Sequence, residues 1–581
     1  MPVGLLASEV TNHMTTLDWA VAVFWVIGTS LFGLWFVRYV KTAKDYLVAG
    51  RKLKWWQIGI AQAADSVDAG DFIAIAGLGW LMGLTGLGYI WIGMAFGTYI
   101  LARYLAPMLY RTGVVTNAEF LELRFNPAMR VASALIQIFY RFIALALVGY
   151  ALATMFKVTV GIDMTWGIVI SMCITIVYVF ASGQLGVVMA AIPQVILMLI
   201  LTGIIFFSVF ADIGWLSGFN ENKETYGEML SLTFYAKDGI DNNVFLIGLI
   251  LVLFTYPIVN QTVAQRIVSA SSESDARKGS IVSIVPWFLV TGVAIMAGIV
   301  GHVLMPGLTE ETRSELYPLY MVKYLPEISN GLLGLGMAAL IVGSMSTGAG
   351  IGTAISGLVT NDLVKVINSD KYTDRQKLWW TRIVATIAIV LGAVLSSLVD
   401  DFDGMVPFYV TFSGTFVLPL TVPYLAAAFC PWASRWSAVA SVTGGCLLGL
   451  VLFNTGPNAE TGADGLMPIW MTQAQVRPMW VLGFAMLVLV LCSMLENMIR
   501  GPIAKHSLAS RLNTFDLGKN NMSPEEVKAM MSADEVGDWA AKENVDFDTL
   551  GIRKDQPWYR RPGPYEIAVL VGMIALMIWL W

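Results

Sequence analysis

The chain has 581 residues, 57% of them hydrophobic and only 13% charged, with a net charge of −5 and a mean hydropathy of +0.68. A spanning helix needs about 20 apolar residues, and many such runs are present, so the composition is that of a polytopic membrane protein; the acidic balance argues against a nucleic-acid partner. Cys173, Cys430, Cys446 and Cys492 lie in or beside apolar runs without CxxC pairing, and His13, His302 and His506 are far apart, which argues against a disulfide framework or a metal centre.

The N-terminal residues MPVGLLASEVTNHMTTLD lack a basic region, so no cleavable signal peptide is expected. A leading apolar helix is expected near 19–39. The next stretch, 55–80, reads WWQIGIAQAADSVDAGDFIAIAGLGW. It is long and apolar enough to cross a bilayer, yet it carries Asp65, Asp68 and Asp71. Each acid costs roughly 2.5–3.5 kcal/mol at the centre of a lipid-facing helix. Spacing i, i+3, i+6 puts the three on one helical face, and Gly59, Gly70, Gly77 and Gly79 make a local break easy. An acidic, breakable helix among apolar ones points to a small cation or a polar solute held in mid-membrane.

Further spans are expected near 84–109, 129–156, 162–181, 186–211, 244–268, 281–304, 330–360, 380–398, 405–428, 437–453, 478–498 and 564–581, fourteen in all. The 129–156 span carries Arg141, and an intramembrane Arg needs a partner. The 244–268 span contains Thr255-Tyr256-Pro257, where Pro257 removes a backbone donor and kinks or breaks the helix. Lys and Arg gather in alternate loops, and residues 499–562 add ten more. The positive-inside rule then places the N-terminus outside; with fourteen spans the C-terminus is outside too, in the cell (inner) membrane. Residues 499–562 are polar, with a capping-box pattern at Ser523-Pro524-Glu525-Glu526, and read as a cytoplasmic linker or a docking segment.

Four stretches carry a family likeness. They are Asp45-Tyr46-Leu47-Val48-Ala49-Gly50-Arg51, Thr116-Asn117-Ala118-Glu119-Phe120-Leu121-Glu122-Leu123-Arg124-Phe125, Asn260-Gln261-Thr262-Val263-Ala264-Gln265-Arg266 with Ala276-Arg277-Lys278-Gly279, and Gly343-Ser344-Met345-Ser346-Thr347. In this order the chain resembles the sodium:solute symporter family, the group of sodium/sugar, sodium/proline and sialic acid symporters. The resemblance implies an all-α LeuT-type core of two inverted five-helix repeats. The organisation expected from it is an outer N-terminus, leading helix and basic loop over 1–54, a first repeat over 55–211, an outside loop over 212–243 and a second repeat over 244–428. Two further helices over 429–498, the polar segment 499–562 and a final helix over 563–581 follow. In such folds the first helix of each repeat is broken and ligands bind at the breaks.

The resemblance also implies a sodium site: carbonyls from Ala64, Val67 and Gly343, and hydroxyls from Ser346 and Thr347. Hard cations take such oxygens. On its own, a Ser-Thr pair in a membrane helix usually bonds back to a carbonyl one turn earlier. Gly343 stands where the family more often has Ala. A second departure lies in Gly186-Val187-Val188-Met189-Ala190-Ala191-Ile192-Pro193-Gln194, where the family's Thr-Asp falls on Ala190 and Ala191. One sodium per cycle is therefore expected.

For the solute, the resemblance points to Ser66, Asp68, Asp71, Tyr256, Asn260 and Gln261 near the two breaks, with Arg141 opposite. Tyr409, Thr411 and Ser413 are secondary candidates for the cavity wall. Two readings of the charges stand side by side: Arg141 bridges Asp68 or Asp71 structurally, or at least one of these charges touches solute. Asp65 is a candidate coupling acid. The acidic surplus tilts the solute toward a zwitterion or amine over a sugar or carboxylate. The expected function is sodium-coupled import of a small polar organic solute by a chain that works as a monomer by analogy. The rival readings are a proton-coupled carrier using Asp65, Asp68 or Asp71, a membrane ligand sensor, and an intramembrane enzyme. No HExxH motif, His cluster or nucleophile–base pair supports the last.

Overall fold

The structure, a computed structural model, describes residues 12–40, 43–222, 226–227, 229–230, 242–310, 312–364, 374–402, 405–455, 476–500 and 561–580. Most of the 499–562 segment and part of the 212–243 loop lie outside the described residues. Apart from an isolated bridge between Leu53 and Ala270, the described residues are helical or irregular.

The leading helix α1 spans Thr16–Leu34. Thr15 and Asp18 form its capping box, and Asp18 Oδ1 also accepts the Gly334 amide at 3.0 Å, tying α1 to a distant helix. The acidic stretch is two half-helices, α2 (Trp55–Ala64) and α3 (Ala69–Met82), separated by four irregular residues. Next come α4 (Leu84–Ile100), continued through a π-turn to Thr112, and the short α5 (Asn117–Arg124). The long α6 (Pro127–Val160) starts on an Asn126 cap and stops at Gly161, whose φ of 75° suits only glycine comfortably.

Helix α7 (Met164–Asp212) covers two expected spans. A straight helix of 49 residues would run about 74 Å, more than twice a hydrocarbon core of about 30 Å. It folds back instead. Thr175 lies against Gly348 and Gln184 against Thr353, whereas Met198 and Leu201 lie against Gly343 and Gly336.

The second broken pair is α8 (Asn242–Val259) and α9 (Gln261–Val268). Pro257 lies inside α8, and the chain leaves helical geometry three residues later at Asn260, whose Oδ1 caps α9 by accepting the Thr262 amide at 2.8 Å. Then follow α10 (Glu273–Val282), α11 (Ile284–Leu304), the short α12 (Leu316–Ile328) and α13 (Leu332–Gly357). After these come α14 (Asp374–Ser396), α15 (Met405–Phe412) and α16 (Leu418–Phe429), then α17 (Ser437–Asn454), α18 (Arg477–Arg500) and α19 (Pro562–Leu580).

Each of the expected stretches is helical, but the count of fourteen single spans is not reproduced. Among the described residues, 11 helices are long and apolar enough to cross a membrane by length and composition. The acidic stretch falls short because its break divides it.

Small residues set the helix contacts, as is usual where no hydrophobic force separates helix from lipid. A Cβ on Gly79 would stand 2.3 Å from the Ile295 carbonyl, and one on Gly298 only 2.2 Å from the Ala76 carbonyl. Backbone therefore meets backbone where α3 crosses α11. Large apolar side chains such as Phe24, Val394, Leu495 and Ile499 face outward.

Candidate functional site

The break between α2 and α3 is made by sequence, not imposed on it. Asp68 caps α3: its Oδ1 accepts the amides of Gly70 at 2.7 Å and Asp71 at 3.3 Å. Asp71 reaches back to the Asp68 amide at 3.3 Å, completing a capping box. Two of the three acids therefore serve the first turn of a half-helix, whose N-terminal dipole favours negative charge.

Asp65 does something else. It forms a buried bidentate ion pair with Arg266 of α9, Arg266 Nη2 lying 2.5 Å from Asp65 Oδ1 and Nη1 engaging Oδ2. The expected bridge from Arg141 to Asp68 or Asp71 is not formed, since Arg141 has no ion pair among the described residues. Its Nη1 donates weakly to Thr262 Oγ1 at 3.4 Å, and its guanidinium lies 4.2 Å from the Tyr140 ring centre. Arg141 Nε and Nη2 are buried without a partner. The three acids are otherwise engaged: Asp68 and Asp71 in the capping box of α3, and Asp65 with Arg266.

A cavity of ≈ 170 Å³, the space open to the centre of a water molecule, opens beside the break. Asp65, Ser66, Asp68, Asp71, Arg141, Tyr256, Thr347 and Tyr409 line it, with an apolar remainder that includes Leu78, Met94, Trp287 and Met405. Ser66 Oγ donates to the Tyr256 hydroxyl at 3.1 Å, joining the two breaks, and the Tyr409 and Tyr140 hydroxyls meet at 2.8 Å.

Asn260 and Gln261 are not among the lining residues. Asn260 caps α9, and Gln261 Oε1 accepts the Asn117 amide at 2.9 Å, so these two brace the bundle. Thr411 and Ser413 are buried away from the cavity as well.

Beside the cavity lies an oxygen-rich cluster. The Ala64 carbonyl accepts from Thr347 Oγ1 at 3.4 Å and from Gln194 Nε2 at 3.3 Å, and the Gly343 carbonyl accepts from the same Gln194 Nε2 at 3.3 Å. Thr347 also stands beside the Asp68 carboxylate, which competes with the Ala64 carbonyl for its single hydroxyl proton. Val67 is buried within the break. Ser346 Oγ is buried without a partner and lines a separate pocket of ≈ 10 Å³ with Thr29, Ser30 and Ala190. A Cβ on Gly343 would stand 2.3 Å from Met198 Cε, the mobile end of a flexible side chain, so the packing does not itself demand Gly here. Two carbonyls from different helices and a hydroxyl are oxygens of the kind a hard cation takes, while Ser346 Oγ faces the separate small pocket.

Reasoning from sequence missed Gln194 and Arg266 as parts of the site. Both were visible as motif residues, Gln194 closing the α7 motif and Arg266 closing the Asn-Gln motif, but their partners lie 130 or more positions away.

Comparison with known proteins bears on the fold and the family. The chain is 25% identical over 456 residues to a sodium/glucose cotransporter of Vibrio parahaemolyticus, spanning 73% of this chain and 81% of that protein. It is 25% identical over 481 residues to sodium/myo-inositol cotransporter 2 of Mus musculus, spanning 76% and 70%. In fold it is similar to a Na+-coupled sialic acid symporter in a substrate-bound outward-open state, with a TM-score of 0.65 at 19% identity, covering 82% of this chain and 98% of that one. It is also similar to Mhp1, a nucleobase-cation-symport-1 family transporter, with a TM-score of 0.51 at 12% identity, covering 82% and 97%. The fold is thus the LeuT-type transporter fold, and the protein is a transporter rather than an enzyme. The family model that matches residues 46–445 spans most of the chain and both broken helices, and the chain belongs to the sodium:solute symporter family.

Proposed function

We propose that this symporter imports a small zwitterionic solute together with one sodium ion. The observation that carries this reading is Arg141. A buried guanidinium with two nitrogen positions unpartnered lines the same cavity as the carboxylates of Asp68 and Asp71. A buried charge left unpaired costs several kcal/mol, about 3–5 where a partner has been removed. A solute carboxylate on Arg141 relieves that cost, and a solute ammonium group has Asp68 and Asp71 to face. Among the relatives, those named for glucose and myo-inositol carry neutral solutes, and the sialic acid symporter carries an acid. The charged cavity here favours a solute with both signs.

Sodium in this reading sits between the breaks and α13, on the carbonyls of Ala64, Val67 and Gly343 and the hydroxyls of Ser346 and Thr347. Thr347 reaches both the Ala64 carbonyl and Asp68, so an ion that orders Thr347 also orders the acid that faces the solute. Sodium favours the outward-open bundle, solute binding at the breaks then closes the cavity, and rocking of one helix group against the other releases both inside. The membrane orientation keeps both termini outside, in a cell (inner) membrane protein that works as a monomer. In support, Arg111, Arg124, Arg130 and Arg277 all bind loops or helix ends at one end of the bundle.

The test is thermal unfolding of the purified protein with amino acids, betaines, sugars, amines and carboxylates, each in sodium and in potassium at matched ionic strength. A ligand that binds the folded state raises the melting temperature. Zwitterions that stabilise only in sodium support the reading. Stabilisation by a sugar overturns the solute class. Stabilisation that follows pH and ignores sodium overturns the ion site.

A further inference from the structure

We propose that Gln194 is itself a ligand of the coupling ion, which it meets through its side-chain oxygen on a helix whose Ala190 and Ala191 offer no side-chain oxygen one turn earlier. The inference rests on the sodium site described above and adds a residue to it.

Four observations support it. Gln194 is fully buried, one turn beyond Ala190 and Ala191 on α7. Its Nε2 lies 3.3 Å from both the Ala64 and the Gly343 carbonyl. These carbonyls come from two different helices and converge on the Gln194 amide, so a small cation held between them would lie within reach of that amide. Finally, Gln194 Oε1 is buried with no partner. A buried amide oxygen without a donor is costly, about 1–3 kcal/mol, and is rare enough to need a reason.

A cation on the Ala64 and Gly343 carbonyls supplies the reason. The ion and the NH2 group compete for the same lone pairs and cannot share the position. A half-turn of the terminal amide exchanges nitrogen for oxygen with little change in shape, which is why the two are hard to tell apart by form alone. It withdraws the competing donors and brings Oε1 to the ion. The same side chain thus closes the two carbonyls in one orientation and joins them as a ligand in the other. Pro193 precedes Gln194 and removes a helical donor, so the Met189 carbonyl has no partner from that position and α7 can bend at this turn.

Two substitutions test this, read as the sodium concentration that gives half of the maximal thermal stabilisation, with potassium holding ionic strength constant. Gln194→Leu keeps the bulk and removes both polar atoms. If Gln194 only competed with sodium, this variant would bind sodium more tightly. If Gln194 is a ligand, it binds about tenfold more weakly, and that is the expected result. Gln194→Glu keeps the oxygen and adds charge, so sodium binding tightens and becomes pH-dependent because a buried carboxylate must lose its proton to meet the ion. Unchanged or tighter binding in Gln194→Leu overturns the proposal, and so does a Gln194→Glu variant with wild-type affinity and no pH dependence. A wild-type protein that shows no specific response to sodium overturns the sodium site itself. A normal wild-type response with an equally normal Gln194→Leu response overturns only the role of Gln194.

Discussion

Asp65, in the break of the first core helix, is held by Arg266, two turns beyond the break of the second, in a bidentate ion pair with both side chains at most 3% exposed. The pair ties the break of the first helix to the last turn of α9. Gly350 of α13 makes room for it: a Cβ there would stand 3.0 Å from Asp65 Oδ1 and 3.3 Å from Arg266 Nη2.

Removing one member leaves the other buried and unpaired. Asp65→Asn and Arg266→Gln are each expected to lower unfolding stability by about 3–5 kcal/mol, with the double variant losing clearly less than the sum. Chemical or thermal unfolding of the four proteins measures this. Strict additivity would mean that the two side chains do not act as a pair.

Arg141 has the opposite character, a cation in the cavity with spare donors. Arg141→Met is expected to leave thermal stability without ligand unchanged or slightly higher, because an unpartnered charge is removed. The same change should weaken solute binding by about 10- to 150-fold, equivalent to the 1.5–3 kcal/mol of a charged hydrogen bond. Arg141→Lys should recover part of the affinity but lose the bidentate geometry. Solute-dependent melting shifts and uptake KM read both effects.

Thr347 touches the Ala64 carbonyl and stands beside Asp68. Thr347→Ala should weaken sodium binding and solute binding in the same protein, each by about fivefold for roughly 1 kcal/mol per lost hydrogen bond. Ser346→Ala should affect sodium alone. Binding curves for each ligand at saturating concentrations of the other separate these outcomes.

The crossing of α3 and α11 has no space for side chains. Gly298→Ala puts a methyl group against the Ala76 carbonyl and the Trp80 amide at 2.2 and 2.7 Å, both backbone atoms. A loss of about 1–3 kcal/mol is expected from overpacking. Solute affinity should fall with it, because α3 carries Asp71 and Leu78 of the cavity wall. Unfolding and binding measured together check this.

The last helix is attached by charge. Glu566 of α19 accepts from Arg277 Nε and Nη2, both at 2.9 Å, and lies 3.7 Å from Arg103. Glu566→Gln should lower stability by about 1.5–3 kcal/mol while leaving the sodium response intact. Thermal unfolding with and without sodium tests both parts.

Much of this molecule was legible in its residues. Apolar runs of span length, the Pro257 interruption and the acidic stretch between Trp55 and Trp80 mark helices and their weak points through local chemistry, because a backbone that cannot reach water must bond within its own helix. The motif at Gly343–Thr347 pointed to the oxygen cluster beside the first break, and the four-residue pattern Asp68-Ala69-Gly70-Asp71 held the capping box that opens α3. Placing the three acids on one helical face hid that cap, since a common face presumes an unbroken rotation across the break that the glycines allow. Only the tertiary structure decided the partners. Asp65 meets Arg266 across 201 positions and Gln194 meets Ala64 across 130, and the packing of separate helices leaves Arg141 without an acid. Helix formation is set by neighbours a turn apart, whereas a buried charge is satisfied by whichever side chain the bundle rotates into reach, and that rotation is fixed by the glycine contacts and breaks of the whole assembly.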